Sequence, residues 1–225
     1  MSKPRLLDLF CKAGGTTKGY QEAGFYVVGI DIEPQPHYIG DEFIQADALT
    51  FPLDGYDVIH ASPECKAYTN CNLSPKAKYQ MLIGAIRKRL QATGKPYVIE
   101  NVIGSKKHLQ ANLMLCGTMF DLPMERHRLF ESNLFLYPPR ECNHKIAHIS
   151  VTGHSVWDSW LEGTQRKDGR SRPDSVPVAI GKEAMGIDWM NKSELAQAIP
   201  PAYTKHIGLQ FMDILAQRKI TSCPL

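Results

Sequence analysis

The sequence predicts an α/β fold built on a doubly wound, mostly parallel sheet, and three observations carry that reading. Short apolar runs alternate with amphipathic stretches through residues 1–102, as strands joined by right-handed crossovers require. Several of these runs end in an acid or a glycine turn, where sheets of this kind place their ligands. The chain has 225 residues with 43% hydrophobic content, enough to bury one full core.

Taken in order, "RLLDLF" reads as a buried strand running into "CKAGG", and "TTKGYQEAGF" as a helix with Thr16 or Thr17 as N-cap and Gly24 as its stop. "FYVVGIDI" is a second strand ending at Asp31, "EFIQADALTF" a third ending near Asp47, and "GYDVIHAS" a fourth that delivers "ASPECKAYT". In "SPKAKYQMLIGAIRKRLQATG", Pro75 suits a first helical turn, Leu82, Ile86 and Leu90 share one face, and Gly94 terminates the helix. "PYVIENV" returns as a fifth strand, and "LFESNLFLY" after Arg128 as one more, part of a hairpin. "AIPPAYTKHIGLQFMDILAQRK" closes the chain as an amphipathic helix that packs back on the sheet. We read residues 1–225 as a single domain with a loop-rich insert at 138–183, whose "GTQRKDGRSRPDS" is a surface loop.

Composition narrows the function classes. The net charge of +3 hides an asymmetry: residues 1–60 carry 4 Lys/Arg against 9 Asp/Glu, and residues 61–150 carry 13 against 6. The second block could attract polyphosphate, although charge alone favours nucleic acid only weakly. No uninterrupted apolar run reaches the ~18 residues of a membrane span, and no apolar run follows a basic stretch at the N-terminus. The expectation is therefore a soluble, cytoplasmic protein without a membrane partner. Six cysteines at 11, 65, 71, 116, 142 and 223 show no CxxC spacing, which favours reduced thiols. His127, Cys142, His144, His148 and His154 match no zinc spacing either, so no metal is expected.

The candidate site gathers at the carboxyl ends of the strands, where Gly14, Gly15, Asp31, Asp47, Cys65 and Glu100 would meet. The "AGG" turn lets backbone approach a ligand, though such a turn can be purely structural. Asp31 could accept both ribose hydroxyls and Asp47 an adenine amino group. Around Cys65, Lys66 would lower the thiol pKa and Glu64 would raise it, leaving the local electrostatics undecided. Glu100 at the end of the adjacent strand tips the reading towards chemistry, as a proton donor or acceptor opposite the thiolate.

These residues resemble one family. "DLFCKAGGTTKGYQEAGF", "ASPECKAYT", "VIENV", "RHRLFE" and "AIPPAYTKHIG" follow in order the motifs of the DNA cytosine C5-methyltransferases and look closest to the compact phage-type branch. The resemblance implies the Rossmann-like fold of S-adenosylmethionine-dependent methyltransferases, with residues 138–183 as a minimal target recognition region. It implies that Cys65 adds to C6 of a cytosine swung out of DNA, that Glu100 holds a proton at N3, and that Arg126 and Arg128 orient the base, although either arginine could instead anchor the following strand. It makes Phe10 a platform for the adenine of S-adenosylmethionine, places Asp31 on the ribose and Asp47 on the adenine edge, and counts Lys12, Ala13, Gly14, Gly15, Ile32, Ala48, Glu64 and Gln197 among the cofactor contacts.

Some residues depart from the family pattern. Glu64 and Lys66 flank Cys65 where proline and glutamine are usual, and Lys12 stands where a small residue is usual. Lys12 and Glu64 could simply pair with each other. Alternatively, Lys12, Lys66 or both could receive the extra carboxylate of carboxy-S-adenosylmethionine and direct transfer of a carboxymethyl group. Two further readings stay open, a nucleotide-level pyrimidine modifier and a noncatalytic DNA-binding relative. A monomer is the working expectation.

Overall fold

The computed structural model describes residues 2–68, 79–145, 149–151 and 177–221. Its centre is a seven-stranded sheet in the order β3-β2-β1-β4-β5-β7-β6. β1 (Arg5–Leu9), β2 (Tyr26–Asp31), β3 (Glu42–Gln45), β4 (Val58–Ala61) and β5 (Tyr97–Asn101) pair in parallel. β7 (Arg128–Ser132) runs antiparallel to β5, and β6 (Leu113–Leu115) antiparallel to β7. Every residue of β4 and β5 is buried, as expected of parallel strands covered on both faces.

Alternation along the strands sorts the core into two layers. Leu6, Val27, Val58, Val98 and Phe130 face one way, against Tyr20 and Phe25 and against Tyr203, Ile207 and Phe211 of the closing helix α5 (Pro201–Thr221). Leu7, Leu9, Val28, Ile30, Ile59 and Ile99 face the other way, against Ile83, Ile86 and Leu90 of α2 (Ile83–Ala92). α5 therefore packs back on the sheet as its sequence predicts.

Several local expectations change. α1 (Gly15–Ala23) is entered through Gly14 at φ 87°, with no side-chain cap. Thr16 and Thr17 are instead inside the helix, each donating a hydroxyl hydrogen bond of 2.6 Å to Asp8 Oδ2, because the buried carboxylate outcompetes the helix end for them. Gly24 stops the helix at φ 106°, as expected. β3 ends at Gln45, and Asp47 lies beyond it, accepting from the Leu49 amide in a turn. α2 begins only at Ile83, with Leu82 just outside it; Pro75 is outside the described residues. β6 has three residues, too short to show a period in the sequence.

Two helices come from stretches without a predicted element. α3 (Val178–Met185) occupies the end of the segment read as loop, and its Gly181, Ala184 and Met185 are buried. α4 (Lys192–Gln197) begins with a reciprocal capping box between Asn191 and Glu194. Most of the loop-rich insert expected at 138–183, including 152–176, is outside the described residues. Among the described residues, no helix is long and apolar enough to cross a membrane.

α1 and α5 approach closely over the sheet. A Cβ on Gly19 would stand 2.1 Å from Pro201 O and 2.1 Å from Thr204 Oγ1, and Thr204 donates to Thr16 O at 2.8 Å. Gly19→Ala should therefore destabilise the protein by about 3 kcal/mol through overpacking. Gly84→Ala in α2, with nothing within 4 Å of the added Cβ, should be neutral or stabilising by up to about 1 kcal/mol. Urea unfolding midpoints of the two variants check the contrast.

Candidate active site

The turn after β1 is unusually constrained. Phe10 (φ 62°), Lys12 (φ 46°) and Gly14 (φ 87°) all adopt left-handed conformations, which non-glycine residues hold only where surrounding contacts enforce them. Here the enforcing bonds are Cys11 N to Ile30 O at 3.1 Å, Gly14 N to Cys11 O at 3.0 Å, and Lys12 N to Asp31 Oδ2 at 3.1 Å. Asp31 Oδ1 also accepts from the Glu33 amide at 3.1 Å. The buried acid ending β2 thus ties the turn to the neighbouring strand.

The loop after β4, the strand adjacent to β1, carries Cys65. Ser62 N bonds Leu9 O at 3.1 Å, Asn101 Nδ2 donates to Pro63 O at 2.8 Å, and Tyr68 N bonds Cys65 O at 2.9 Å. These three bonds attach the loop to β1 and β5 and close a turn over the cysteine. Burial pushes the Cys65 thiol up, and the Glu100 charge adds to that while Arg128 opposes it. The opposing flanking charges are largely resolved between themselves: Lys66 Nζ and Glu64 Oε1 are 2.8 Å apart.

Glu100, on β5, is buried and pairs with Arg128 at 3.1 Å from Nε to Oε1. Burial raises its pKa, whereas Arg128 and a hydrogen bond with Ser62 lower it. Behind Ser62 runs a chain that the sequence does not signal. His60 Nε2 is 2.7 Å from Ser62 Oγ, and His60 Nδ1 is 2.8 Å from the Tyr20 hydroxyl. Burial pushes His60 down to about 3, so its ring is neutral and carries one N–H. With Ser62 donating to Glu100, His60 donates through Nε2 and accepts the Tyr20 hydroxyl at Nδ1, leaving each member satisfied.

A cavity of about 280 Å³ brings these parts together. Phe10, Lys12, Ala13, Gly15, Asp31 and Ile32 line it from the glycine-turn side, Glu64, Cys65, Glu100 and Arg128 from the other, and Gln197 from the end of α4. Ser62, Pro63, Val102, Met190, Glu194 and Ile199 also line it without having been singled out from the sequence. Ser62 and Pro63 lie within "ASPECKAYT", Val102 within "ENV" and Ile199 within the closing "IPP", whereas no motif contains Met190 or Glu194. Gly14 supports the turn but is not a lining residue, and neither are Asp47 and Ala48. Asp47 is spent on its own turn, while Ala48 is buried in the core and accepts from Arg89 through its carbonyl.

Two charged-residue expectations are corrected. Lys12 and Glu64 do not pair: Lys12 Nζ lies 3.3 Å from Glu33 Oε2 and 3.6 Å from Asp31 Oδ1, carboxylates nearer to it in the fold. Of the two arginines, only Arg128 reaches the cavity. The buried Arg126 guanidinium donates to Ala198 O at 2.9 Å, to Ala196 O at 2.7 Å and to Val151 O. It fastens the α4–α5 junction beneath the cavity and not, as the sequence alternative had it, the strand that follows.

Strand order, crossovers and cavity position define the Rossmann-like fold of S-adenosylmethionine-dependent methyltransferases. No protein-family model and no curated protein matches the sequence. Solved structures do resemble it. A candidate DNA modification methyltransferase encoded within a prophage (E. coli) aligns over 95% of this chain and 99% of its own, with TM-score 0.63 and 13% identity. The S. pombe Dnmt2 methyltransferase aligns over 95% and 99%, with TM-score 0.61 and 13% identity. The Entamoeba histolytica methyltransferase EhMeth aligns over 96% and 99%, with TM-score 0.57 and 13% identity. At that identity the likeness establishes the fold.

At the foot of the turn, burial pushes Asp8 up to about 6 against the two threonine hydroxyls that favour its charged form. Its Oδ1 has no hydrogen-bond partner among the described residues. The native state therefore holds this proton more tightly than the unfolded chain, and the resulting stabilisation, full below pH ~4, is lost as pH rises to ~6. Asp8→Asn removes the titration, so its stability relative to wild type should rise by up to about 1.4 kcal/mol per pH unit across that window. Chemical denaturation at a series of pH values reads the slope.

Proposed function

We propose that this protein is a DNA cytosine C5-methyltransferase that acts through a covalent bond from Cys65. The observation that carries the reading is one cavity shared by Cys65, the Glu100–Arg128 pair, Asp31 and the glycine turn. Five sequence motifs resembling that family fall at its walls or beneath them, and the fold likeness to DNA modification methyltransferases supports the same substrate class.

The cavity's composition suits S-adenosylmethionine. Ile32 is 67% exposed although it lines the cavity, an apolar surface that an adenine would cover beside Phe10. Asp31, oriented by two backbone amides, presents a carboxylate where ribose hydroxyls would lie. Lys12, Ala13, Gly15, Glu64 and Gln197 would surround the methionine portion, with Gly14 setting the turn behind them. When bound, this cofactor supplies an electrophilic methyl group.

The protein's own residues prepare the base. Cys65, as its thiolate, adds to C6, and the electrons displaced from the C5–C6 double bond are drawn towards N3, where Glu100 holds a proton. The ring avoids a full negative charge, and C5 becomes nucleophilic. After C5 is substituted, loss of its proton expels Cys65 and restores the ring. Burial favours the protonated Glu100 that this step needs, while Arg128 fixes the carboxyl in place. Because stacking hides both faces of a base, the target must leave the duplex, and the basic block in 61–150 suits the DNA backbone.

The geometry favours a methyl donor over a carboxylated one. Lys12 is placed against Asp31 and Glu33, and Lys66 against Glu64, so both lysines the carboxylate would need already have carboxylate partners.

Cys65→Ser should lower transfer to DNA by on the order of 10³-fold or more while S-adenosylmethionine affinity stays within a few fold. Glu100→Gln should lower turnover by about 10²-fold or more. Wild-type protein should form a denaturant-resistant adduct with DNA containing 5-fluorocytosine, and the product nucleoside should gain the mass of one methyl. DNA binding without adduct or product would leave the noncatalytic relative, product from free dCMP in preference to DNA would establish the nucleotide-level enzyme, and a carboxymethyl gain would overturn the methyl donor.

A further inference from the structure

Away from the cavity, four potential metal ligands converge. Cys116, His127, Cys142 and His144 place one ligand atom each so that all lie within 4.8 Å of one another. The sequence spacing concealed this set, because its members come from three segments that only the antiparallel β6–β7 edge brings together. Cys116 follows β6 directly, His127 immediately precedes Arg128 at the start of β7, and Cys142 and His144 belong to the segment after that strand. The expectation that His127, Cys142 and His144 are non-ligands rested on linear spacing, and Cys116 had not been grouped with them. His148 and His154 are outside the described residues.

We propose that Cys116, His127, Cys142 and His144 bind one zinc ion in a closed, structural Cys2His2 site. A tetrahedral ion with sulfur at about 2.3 Å and nitrogen at about 2.0 Å separates its ligand atoms by about 3.3–3.8 Å. Cys116 Sγ and His144 Nε2 are 3.5 Å apart, inside that range. The surroundings resemble a supporting shell. Thr118 Oγ1 stands 3.2 Å from Cys116 Sγ and accepts from the Asn143 amide at 3.2 Å, so one hydroxyl links two of the ligand segments. Glu125 Oε2 lies 3.9 Å from His144 Nδ1, on the side of the ring away from Cys116. Two thiolates would neutralise the dication, and four protein ligands leave no position open for catalysis.

Such an ion would fasten residues 142–144, near the start of the loop-rich insert, to the same end of the β6–β7 edge that carries Arg128. It would thus connect the base of that insert to the cavity wall without touching the reacting atoms. The proposal is independent of the methyltransferase reading, since metal content is measured without turnover.

Full-length protein from zinc-supplemented cells should retain about one zinc per chain by elemental analysis. Cys142→Ser and His144→Ala should each reduce that content by about tenfold or more, whereas Cys65→Ser should not. Both replaced side chains are incompletely buried, and circular dichroism confirms that the variants fold. Metal-stripped wild type titrated anaerobically with Co(II) should show the absorption of tetrahedral cobalt with thiolate ligands. Failure to retain zinc together with failure to bind Co(II) would overturn the site. So would equal zinc content in the variants and wild type, or a Cys116–Cys142 disulfide in anaerobically purified protein.

Discussion

A buried carboxylate is costly to hold charged unless a cation faces it, and the geometry around Glu100 follows from that constraint. β5 and β7 run antiparallel with Glu100 opposite Phe130 and Asn101 opposite Leu129. That register puts Arg128, one residue earlier on β7, within 3.1 Å of Glu100. A slip of one residue would reverse the faces of β7 and leave both charges without their partner. The same strand pairing buries Phe130 and leads back through His127 into the cysteine–histidine cluster, so one sheet edge serves the cavity and the proposed metal site.

Around that pair, polar groups are positioned from inside the protein. The Tyr20–His60–Ser62 chain reaches Glu100 from the core side, and the neutral imidazole within it fixes which way the hydrogen bonds run. Cys65 instead sits on a loop attached to two strands, where burial keeps its thiol from ionising readily. The cavity as described thus presents a favoured acid and a reluctant thiolate. In the proposed reaction, proton supply at N3 is what would make sulfur addition to a cytosine feasible under those conditions.

Much of this was legible from residue order. Apolar runs located five parallel strands, "AGG" located the turn, and the ends of β1, β2, β4 and β5 supplied Ala13, Asp31, Cys65 and Glu100 to one cavity. Other assignments depended on distances no linear pattern contains. Asp47 and Ala48 follow a strand end yet do not line the cavity, since the chain turns at Asp47 first. Arg126 and Arg128 differ by two positions but have separate partners, one set by backbone carbonyls near α5 and the other by Glu100. Short elements were hardest: β6 has three residues and α4 six, too few for a period to emerge.

The sequence by itself determined the α/β class, the parallel strands and the chemical types at their ends, because hydrophobic periodicity and glycine turns are local properties. Tertiary structure alone decided which charges pair, which arginine faces the cavity, and that Cys116 joins His127, Cys142 and His144. Coulombic and coordinate contacts act over a few ångströms in space, and residues far apart in the chain reach that range only after the sheet has closed.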